Sequence, residues 1–374
     1  MAGMGPDFAL DDAQEAIVRL AGEVLSDHDG APGRGHDGAP GRDHDSAPGR
    51  DHDSAPGRGL DGGPAGGHDG AAAALWKSLG QAGLLGLAVP RELGGAGLGA
   101  LATGLLLTEI GRHAAAVPAW STLALGVLPV ARWGTPAQQR DLLPGVLEGR
   151  VLTAALGTPM PATESGRLSG TCRDVPDADQ AHRILIPVGE SVALVDPAAA
   201  GVTVLRTPGG FAVRLDDVAC EPLGDGTADI HRYAVSGACA LGDGALAGAL
   251  RMTADHVRDR HQFGRPLATF QAVAQQIADV YVTSRTMHLA ALAASWGLDD
   301  GAEDDSDLWT AAYWMSSEVL PALRTCHHLH GGLGLAADYP LHRHTALVRE
   351  LVWHLGGAEQ CLDRLGAHGA HRSD

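Results

Sequence analysis

The chain has 374 residues and a formal net charge of −18, with 27 Lys and Arg against 45 Asp and Glu. This acidic balance argues against a general nucleic-acid binder. No apolar run reaches the ~18–20 residues that span a bilayer, and the N-terminal segment lacks the basic and apolar pattern of a signal peptide. We therefore expect a cytoplasmic protein without a membrane-spanning segment.

Four copies of an eight-residue repeat run from His28 to Gly59, and a decayed copy follows. The repeat is rich in Gly and Pro and has almost no apolar side chains, so it buries too little surface to offset the entropy of ordering. We predict a disordered insertion over 28–70. Its His-Asp pairs suggest metal binding, but expansion of a short DNA repeat in a surface loop is favoured because a flexible chain forms no preorganised site.

Around this insertion, the spacing of apolar residues predicts helices. We therefore expect an all-helical first domain over 1–150, with the repeat inserted between its first two helices. The predicted helices are Phe8–Leu25, Ala71–Leu85, Ala100–His113, Trp120–Trp133 and Ala137–Glu148.

The composition changes near Val151, where short runs rich in Val, Ile and Leu alternate with Gly, Pro and Asp. This texture predicts a small β domain over 151–225. Helical spacing returns near Tyr233 and predicts a four-helix bundle in a C-terminal domain over 226–374. The predicted strands are Val151–Leu156, Arg183–Val188, Val192–Asp196, Val202–Leu205 and Phe211–Leu215, and the long helical stretches are 240–262, 267–297, 306–330 and 343–366.

The five cysteines are odd in number and widely spaced, without a Cys-x-x-Cys pair. This usage fits reduced thiols rather than a disulfide framework. The Cys326-His327-His328-Leu329-His330 segment invites a metal hypothesis, since Cys326 and His330 are four residues apart and can share a helix face.

Three segments resemble the acyl-CoA dehydrogenase family. LWKSLGQAGLLGLAVPRELGGAGLG (75–99) resembles the family pattern LW..L...GL.GL.VP...GG.G, RDRHQFGRPLATFQAVAQQIADV (258–280) resembles R..FG.P...FQ.....A, and HLHGGLGLAADYPLHR (328–343) resembles Q.HGG.G....YPL.R. The resemblance covers nearly the whole chain outside the repeat. It implies a mostly α fold with a small β middle domain, namely an N-terminal helical domain, a central β domain and a C-terminal four-helix bundle.

The family reaction is the α,β-dehydrogenation of an acyl-CoA thioester, in which a carboxylate removes the α-proton and a flavin accepts the β-hydrogen as hydride. The resemblance therefore implies FAD, an acyl-CoA or acyl-carrier thioester, and an electron-transfer acceptor. It also implies a homo-oligomer, or a hetero-oligomer with a sister dehydrogenase subunit.

In the family, the last two segments hold the FAD of the neighbouring subunit. An arginine offers a planar fork to a pyrophosphate, and glycines admit a ligand close to the backbone. Taken singly, Arg260 fits a surface ion pair with Asp255 or Asp259, and Phe263 fits core packing. Because a family Gln stands where His328 is, we expect no metal there and keep His328 as a FAD donor. The resemblance assigns cofactor binding to Arg260, Gln262, Phe263, Gln271, His328, Gly331 and Gly332.

The family's usual base is a Glu in a YEGT-like turn, and the matching stretch here is 353–357, with Leu355 at the position of the base. Glu359 would share a helix face with Leu355 but lies ~6 Å further along the axis, so it is a weak substitute. Some members carry the base on the first bundle helix, but that position falls near Ala234, and Asp243 does not match it. We therefore expect no catalytic residue.

The β-domain signature LTEP..GSD is also eroded, to Leu156-Gly157-Thr158-Pro159, and residues 166–183 contain no Trp. The chain resembles the base-lacking subunit of actinobacterial heteromeric acyl-CoA dehydrogenases, some of which act on steroid side chains. The sequence therefore predicts a subunit that completes a partner's FAD site in lipid or steroid side-chain metabolism, and leaves open whether it acts alone. The alternatives are a scaffold of the same fold that binds no FAD, or a flavoenzyme diverted to secondary metabolism.

Overall fold

The computed structural model describes residues 9–29, 66–161, 166–207, 210–224 and 229–371. The predicted disordered insertion over 28–70 lies mostly outside these ranges. At its two edges the prediction is wrong, because His28 and Asp29 continue the first helix and 66–70 begin the second.

The N-terminal part of the chain is helical, as predicted. One predicted helix differs, since Trp120–Val127 forms π-helical turns before the chain continues as an α-helix. Apolar spacing cannot distinguish these two helix types, and the π turns place Trp120 Nε1 where it donates to Ala234 O at 3.0 Å. The helices are α1 (Asp12–Asp29), α2 (Gly66–Gln81), α3 (Ala100–Arg112), α4 (Leu128–Trp133) and α5 (Pro136–Leu147).

The middle of the chain forms two small sheets. Their orders are β1-β3-β4-β7 and β2-β6-β5, and β1 with β3 is the parallel pair while the others are antiparallel. The sequence missed β2, because its pattern RLSGTC has only two buried residues. The strands are β1 (Val151–Ala154), β2 (Arg167–Cys172), β3 (Ala181–Val188), β4 (Ser191–Val195), β5 (Val202–Thr207), β6 (Gly210–Ala219) and β7 (Glu221–Pro222).

The C-terminal part is a helical bundle with a short hairpin, β8 (His261–Gln262) and β9 (Arg265–Pro266), between its first two helices. The single helix predicted over 343–366 is two helices, because Gly356 and Gly357 adopt left-handed backbone angles, with φ of 78° and 81°. The helices are α6 (Ile230–Asp259), α7 (Gln271–Asp299), α8 (Ser306–Trp314), α9 (Leu320–His330), α10 (Leu341–His354) and α11 (Gly357–His371), with π turns Met315–Val319 between α8 and α9.

Helix α6 is the central element that joins the two helical parts. Its backbone packs directly against the backbone of α3, because glycines stand at the contact. A Cβ added at Gly244 of α6 would collide with Thr108 O of α3, and a Cβ added at Gly111 of α3 would collide with Leu241 O of α6. Among the described residues, α6 is the one helix long and apolar enough to cross a membrane, but 83% of its most apolar window is buried inside the protein. That burial fits the core helix of a folded domain.

Asp299 at the end of α7 also ties the two helical parts together. Its carboxylate accepts hydrogen bonds from Ala100 N at 2.6 Å and from Leu101 N at 2.9 Å. These are two of the amide groups that the first turn of a helix leaves without a partner. A residue of the bundle therefore caps the start of α3, almost 200 positions earlier in the chain.

The predicted domain limits at 150 and 225 stay predictions. The structure changes from helix to strand after Leu147 and from strand back to helix after Pro222. The large core cluster runs through both helical parts and includes Leu152 and Leu185 of the first sheet, while a second cluster fills the space between the sheets.

Candidate functional site

The two bundle segments expected to hold a cofactor meet at one end of the bundle. His256, four residues before Arg260, stacks on His330 with ring centroids 4.5 Å apart. His330 directly precedes Gly331, and helices α6 and α9 pack together there. Two segments that are far apart in the sequence therefore share one surface, which we call the hairpin–glycine surface and define as residues 260–271 and 328–335.

Arg260 lies at the C-terminal end of α6, where its backbone is fixed at both groups. Arg260 N donates to His256 O at 2.9 Å, and Leu267 N donates to Arg260 O at 2.8 Å. Its exposed guanidinium has no ion-pair partner among the described residues, because Asp255 pairs with Arg258 instead. Arg260 therefore does not form the surface ion pair that was its alternative interpretation.

Phe263 is 92% exposed, so the alternative of core packing is wrong. Its backbone has a left-handed φ of 53°, at the tip of the hairpin β8–β9. The ring makes an edge contact with Phe270 at 6.2 Å, and Arg265 lies over the other ring at 4.0 Å. An aromatic side chain held in solvent by a tight turn is available to stack on a planar ligand.

The remaining predicted residues of this surface are also exposed. Gly331 has a φ of 59°, and a Cβ built at Gly331 or Gly332 would meet nothing within 4 Å. The backbone is therefore open to a ligand on this side. Gln262, Gln271 and His328 are exposed, and among the described residues their side chains form no hydrogen bond within the chain.

These features fit part of a FAD molecule supplied from outside the chain. A free guanidinium suits a pyrophosphate, an exposed ring suits a planar heterocycle, and open glycines suit close approach. The hairpin–glycine surface has the donors and the open backbone to contribute to a cofactor site.

Two of the histidines before Gly331 form hydrogen bonds within the protein. His327 lies 2.8 Å from Gly334 O through Nδ1 and 2.8 Å from Thr345 Oγ1 through Nε2. His330 Nδ1 lies 2.8 Å from Cys326 O, and Nε2 lies 3.0 Å from the Tyr339 hydroxyl. These bonds fix the bend into the glycines. In the part of the chain with described coordinates, no three metal-type ligands group together.

The bundle also exposes several large apolar side chains. Leu335 is 83% exposed on the hairpin–glycine surface, and Trp353 is 67% exposed at the end of α10. Helix α7 adds a row of exposed apolar side chains, and contact of such a row with water is unfavourable in a monomer. The exposed members of that row are Tyr281, Val282, Leu289 and Trp296.

The protein also has a cavity of about 1000 Å³. It is bounded by the N-terminal helices, by the turn between β2 and β3, and by α10. This is where the β domain faces the bundle, and so where the chain would grip a flavin ring of its own. Its inner wall includes Val117, Trp120, Asp177, Glu350 and Leu351.

The expected position of the base is closed off. Leu355 is 4% exposed and belongs to the hydrophobic core, and it is not among the residues that line the cavity. The prediction that Glu359 shares a helix face with Leu355 is wrong, because the break at Gly356 and Gly357 starts a new helix on which Glu359 is exposed. Asp243 is buried and pairs with His288 Nδ1 at 2.8 Å, away from this cavity.

The sequence analysis missed two carboxyl groups in the cavity. Asp177 lies in the turn between β2 and β3 with a left-handed φ of 52°, and Glu350 faces the cavity from α10. Burial raises the pKa of Asp177, and burial, with the nearby charge of Asp177, raises the pKa of Glu350. The two residues are 173 positions apart, so no spacing pattern could have linked them.

The comparisons with known proteins agree with this architecture. Residues 66–150 match the acyl-CoA dehydrogenase N-terminal domain, and residues 228–370 match the acyl-CoA dehydrogenase C-terminal domain. Helices, two small sheets and a helical bundle in this order define a chain of the acyl-CoA dehydrogenase fold. The protein belongs to the acyl-CoA dehydrogenase family.

Its relatives include subunits of heteromeric enzymes. Acyl-CoA dehydrogenase FadE28 of Mycobacterium tuberculosis is 43% identical over 309 residues, which cover 78% of this chain and 91% of FadE28. Among solved structures, a variant of the Tcur3481–Tcur3483 steroid ACAD has a TM-score of 0.80 and 33% identity, covering 97% of this chain and 99% of its own. The ChsE4–ChsE5 complex of M. tuberculosis has a TM-score of 0.78 and 28% identity, covering 98% and 99%.

The expected cofactor agrees with the family. The fold is shared with the FAD complex of PigA, which has a TM-score of 0.77 and 18% identity and covers 98% of this chain and 100% of that one. FAD, the cofactor that the sequence resemblance implied, is thus the cofactor of the family to which the chain belongs.

Proposed function

We propose that this chain is the base-lacking subunit of a heteromeric, FAD-dependent acyl-CoA dehydrogenase, and that it completes the FAD site of a catalytic sister subunit. One observation carries the proposal. The residues that match the family's neighbour-facing cofactor contacts are exposed and uncommitted, while the position of the base is a leucine in the core. The chain has therefore kept the residues that would contact a partner's FAD and lacks the base that it would need for catalysis of its own.

Each residue of the hairpin–glycine surface has a role in this proposal. Arg260 would donate hydrogen bonds to the FAD pyrophosphate, and Phe263 would lie against a ring of the cofactor. Gln262, Gln271 and His328 would donate to or accept from its polar groups, and Gly331 and Gly332 would admit it close to the backbone. When bound, FAD supplies the hydride acceptor for the dehydrogenation.

The exposed apolar row on α7 would be covered by the partner subunit. The solved relatives Tcur3481–Tcur3483 and ChsE4–ChsE5 support this, since each is a pair of different chains. The substrate class would be an acyl-CoA or acyl-carrier thioester, with the alkene product formed in the sister's site. We extend the proposal to lipid or steroid side-chain metabolism in the cytoplasm, with an electron-transfer protein as the acceptor.

The test is to purify the chain alone and together with an acyl-CoA dehydrogenase chain encoded beside its gene. We expect a stable complex that carries flavin and dehydrogenates an acyl-CoA, and an isolated chain that does neither. Turnover with full flavin loading by the isolated chain would contradict the proposal. A complex that forms but remains colourless would instead support the scaffold that binds no FAD.

The sister's carboxylate should be the base in such a complex. Replacing the sister's Glu in its YEGT-like turn with Gln should abolish turnover while flavin loading remains. The matched change in this chain, Glu359→Gln, should leave turnover unchanged because Glu359 is exposed on α11 and outside the cavity.

A further inference from the structure

The cavity between the β domain and α10 is too large to be a packing defect. Its volume of about 1000 Å³ matches the upper end of the range for ligand pockets, ~300–1,000 Å³. Its inner wall is apolar where Val117, Trp120 and Leu351 lie, and two carboxyl groups, Asp177 and Glu350, stand within it. An apolar pocket with a few convergent polar groups is the usual form of a small-molecule site.

The two carboxyl groups have no cation of the protein to balance them. Within the described residues, neither Asp177 nor Glu350 forms an ion pair. Glu350 reaches solvent through the cavity, yet protein surrounds it closely enough that burial raises its pKa. His354, one turn further along α10, adds no charge, because burial lowers the pKa of its ring, with nearby Asp174 opposing that effect.

The hydrogen bonds of Asp177 involve neutral groups. Ser121 Oγ lies 2.5 Å from Asp177 Oδ2 and 3.0 Å from Pro118 O, and Gln180 Nε2 donates to Asp177 Oδ1 at 3.3 Å. These neutral groups orient the carboxyl group but do not balance a negative charge on it.

The other charged residues of the cavity lie at its solvent-exposed rim and largely offset one another. Arg206 lies 3.9 Å from Asp179, with side chains 80% and 48% exposed. Arg150 contacts His182 at 3.3 Å, and burial, followed by nearby arginines, lowers the pKa of that histidine. The rest of the charged rim consists of the exposed Lys77 and Glu148. Asp177 is half-buried and Glu350 is exposed, and each lines the cavity without an ion-pair partner among the described residues.

We propose that this cavity binds a small molecule that carries a cationic nitrogen on an apolar body, with Asp177 and Glu350 as its counter-ions. The apolar wall at Trp120 and Leu351 would bury the body, and the ring of Trp120 would favour a cation beside it. The proposal goes beyond the role of the chain in completing a partner's FAD site. It needs neither FAD nor the partner, so the two proposals can fail independently.

The test compares three probes with the same six-carbon chain, namely hexylammonium, 1-hexanol and hexanoate, by calorimetry on the full chain at pH 8. We expect hexylammonium to bind about tenfold or more tightly than 1-hexanol, since an opposite charge nearby favours the cation, and hexanoate not to bind. Equal or tighter binding of 1-hexanol, binding of hexanoate, or no binding of hexylammonium would each overturn the proposal.

Variants locate the site. Asp177→Asn and Glu350→Gln should each weaken hexylammonium about tenfold and leave 1-hexanol unchanged. Asp179→Asn is the matched control, because Asp179 carries the same charge at the rim and pairs with Arg206. Hexylammonium binding that survives both substitutions in a folded double variant would place the probe elsewhere and contradict the assignment.

A pH titration of the unmodified chain gives the same answer without substitutions. The amine stays protonated from pH 8 down to pH 4, which is near the ordinary pKa of the two carboxyl groups, as a lysine does. The carboxyl groups have pKa values raised above their ordinary range, so they take up protons as the pH falls through that range. Hexylammonium affinity should therefore fall with the pH while 1-hexanol affinity stays flat, and a flat hexylammonium profile would overturn the proposal.

Discussion

The hairpin–glycine surface and the cavity beside α10 have opposite characters. On the first, Arg260 and Phe263 are exposed, and Arg260 has no ion-pair partner among the described residues. Near the second, the position expected for the base is closed, because Leu355 is sealed in the core, while Asp177 and Glu350 line the cavity itself. The fold and its core are intact in both places, so the difference reflects the requirements of function rather than of folding.

The largest expected effect comes from placing a carboxylate at position 355, where the family has its base and this chain has a buried leucine. Leu355→Glu puts an unpaired charge into the core, so the free energy of unfolding should fall by roughly 3–5 kcal/mol. Urea unfolding followed by circular dichroism measures this loss. Leu362→Glu is the control, because Leu362 is 50% exposed on α11 and should tolerate the change.

The contrast between the two regions would be contradicted if the Leu355→Glu variant folded as well as the unmodified chain and had dehydrogenase activity without a partner. In that case position 355 would face a complete flavin pocket, and the chain would have lost only its base.

The next effect concerns the exposed side. Arg260→Ala should weaken FAD binding to the complex by about 10–100-fold, because charge-assisted hydrogen bonds to phosphate are lost. Flavin absorbance after dialysis gives the retained fraction. Arg258→Ala is the matched control, since Arg258 is exposed on the same turn of chain but pairs with Asp255. Equal retention by both variants would remove Arg260 from the site.

A smaller effect tests the scaffold common to both sides. Asp299→Ala removes the carboxylate that caps α3, so the free energy of unfolding should fall by about 1–2 kcal/mol. The neighbouring Asp300→Ala should change it little, because the exposed Asp300 side chain makes no hydrogen bond to any described residue. Flavin retention by the complex should stay the same in both variants, and a selective loss in Asp299→Ala would show that the two sides are coupled.

The smallest effect is a pH dependence of stability. Burial raises the pKa of Asp177 in the folded chain, so the folded state binds more protons than the unfolded state between the ordinary and the raised pKa. The contribution of Asp177 to stability is therefore present at low pH and is lost as the pH rises through that window. Asp177→Asn should melt about 1–2 °C higher than the unmodified chain at pH 7, with no difference at pH 3. A lower melting temperature at pH 7 would contradict this assignment.

Much of the fold could be predicted from the sequence. The apolar spacing gave α3, α5 and α7 to within a few residues, because each buries a continuous stripe of apolar side chains. It could not show the π turns at Trp120, whose composition is that of any buried helix. It also joined α10 to α11, since the glycine pair that separates them interrupts no apolar period.

The candidate site, like the fold, could be predicted from the sequence in part. Arg260, Phe263 and Gly331 could be proposed from the sequence because the candidate cofactor contacts lie in two compact motifs. The stacking of His256 on His330, which brings those motifs together, depends on how α6 and α9 pack and has no signal in the sequence. The Asp177 and Glu350 pair depends on three separate parts of the fold meeting at one cavity. The positive φ of Asp177 is equally invisible, although Asp is among the residues that tolerate it.

The central claim is that this chain gives half of a FAD site to a partner and keeps no complete site of its own. Its most direct test is to count FAD in the purified complex, by flavin absorbance against the molar concentration of each chain. The account predicts one FAD for each pair of chains, lost when Arg260 is replaced. Two FAD molecules for each pair, both retained by the Arg260→Ala complex, would contradict it.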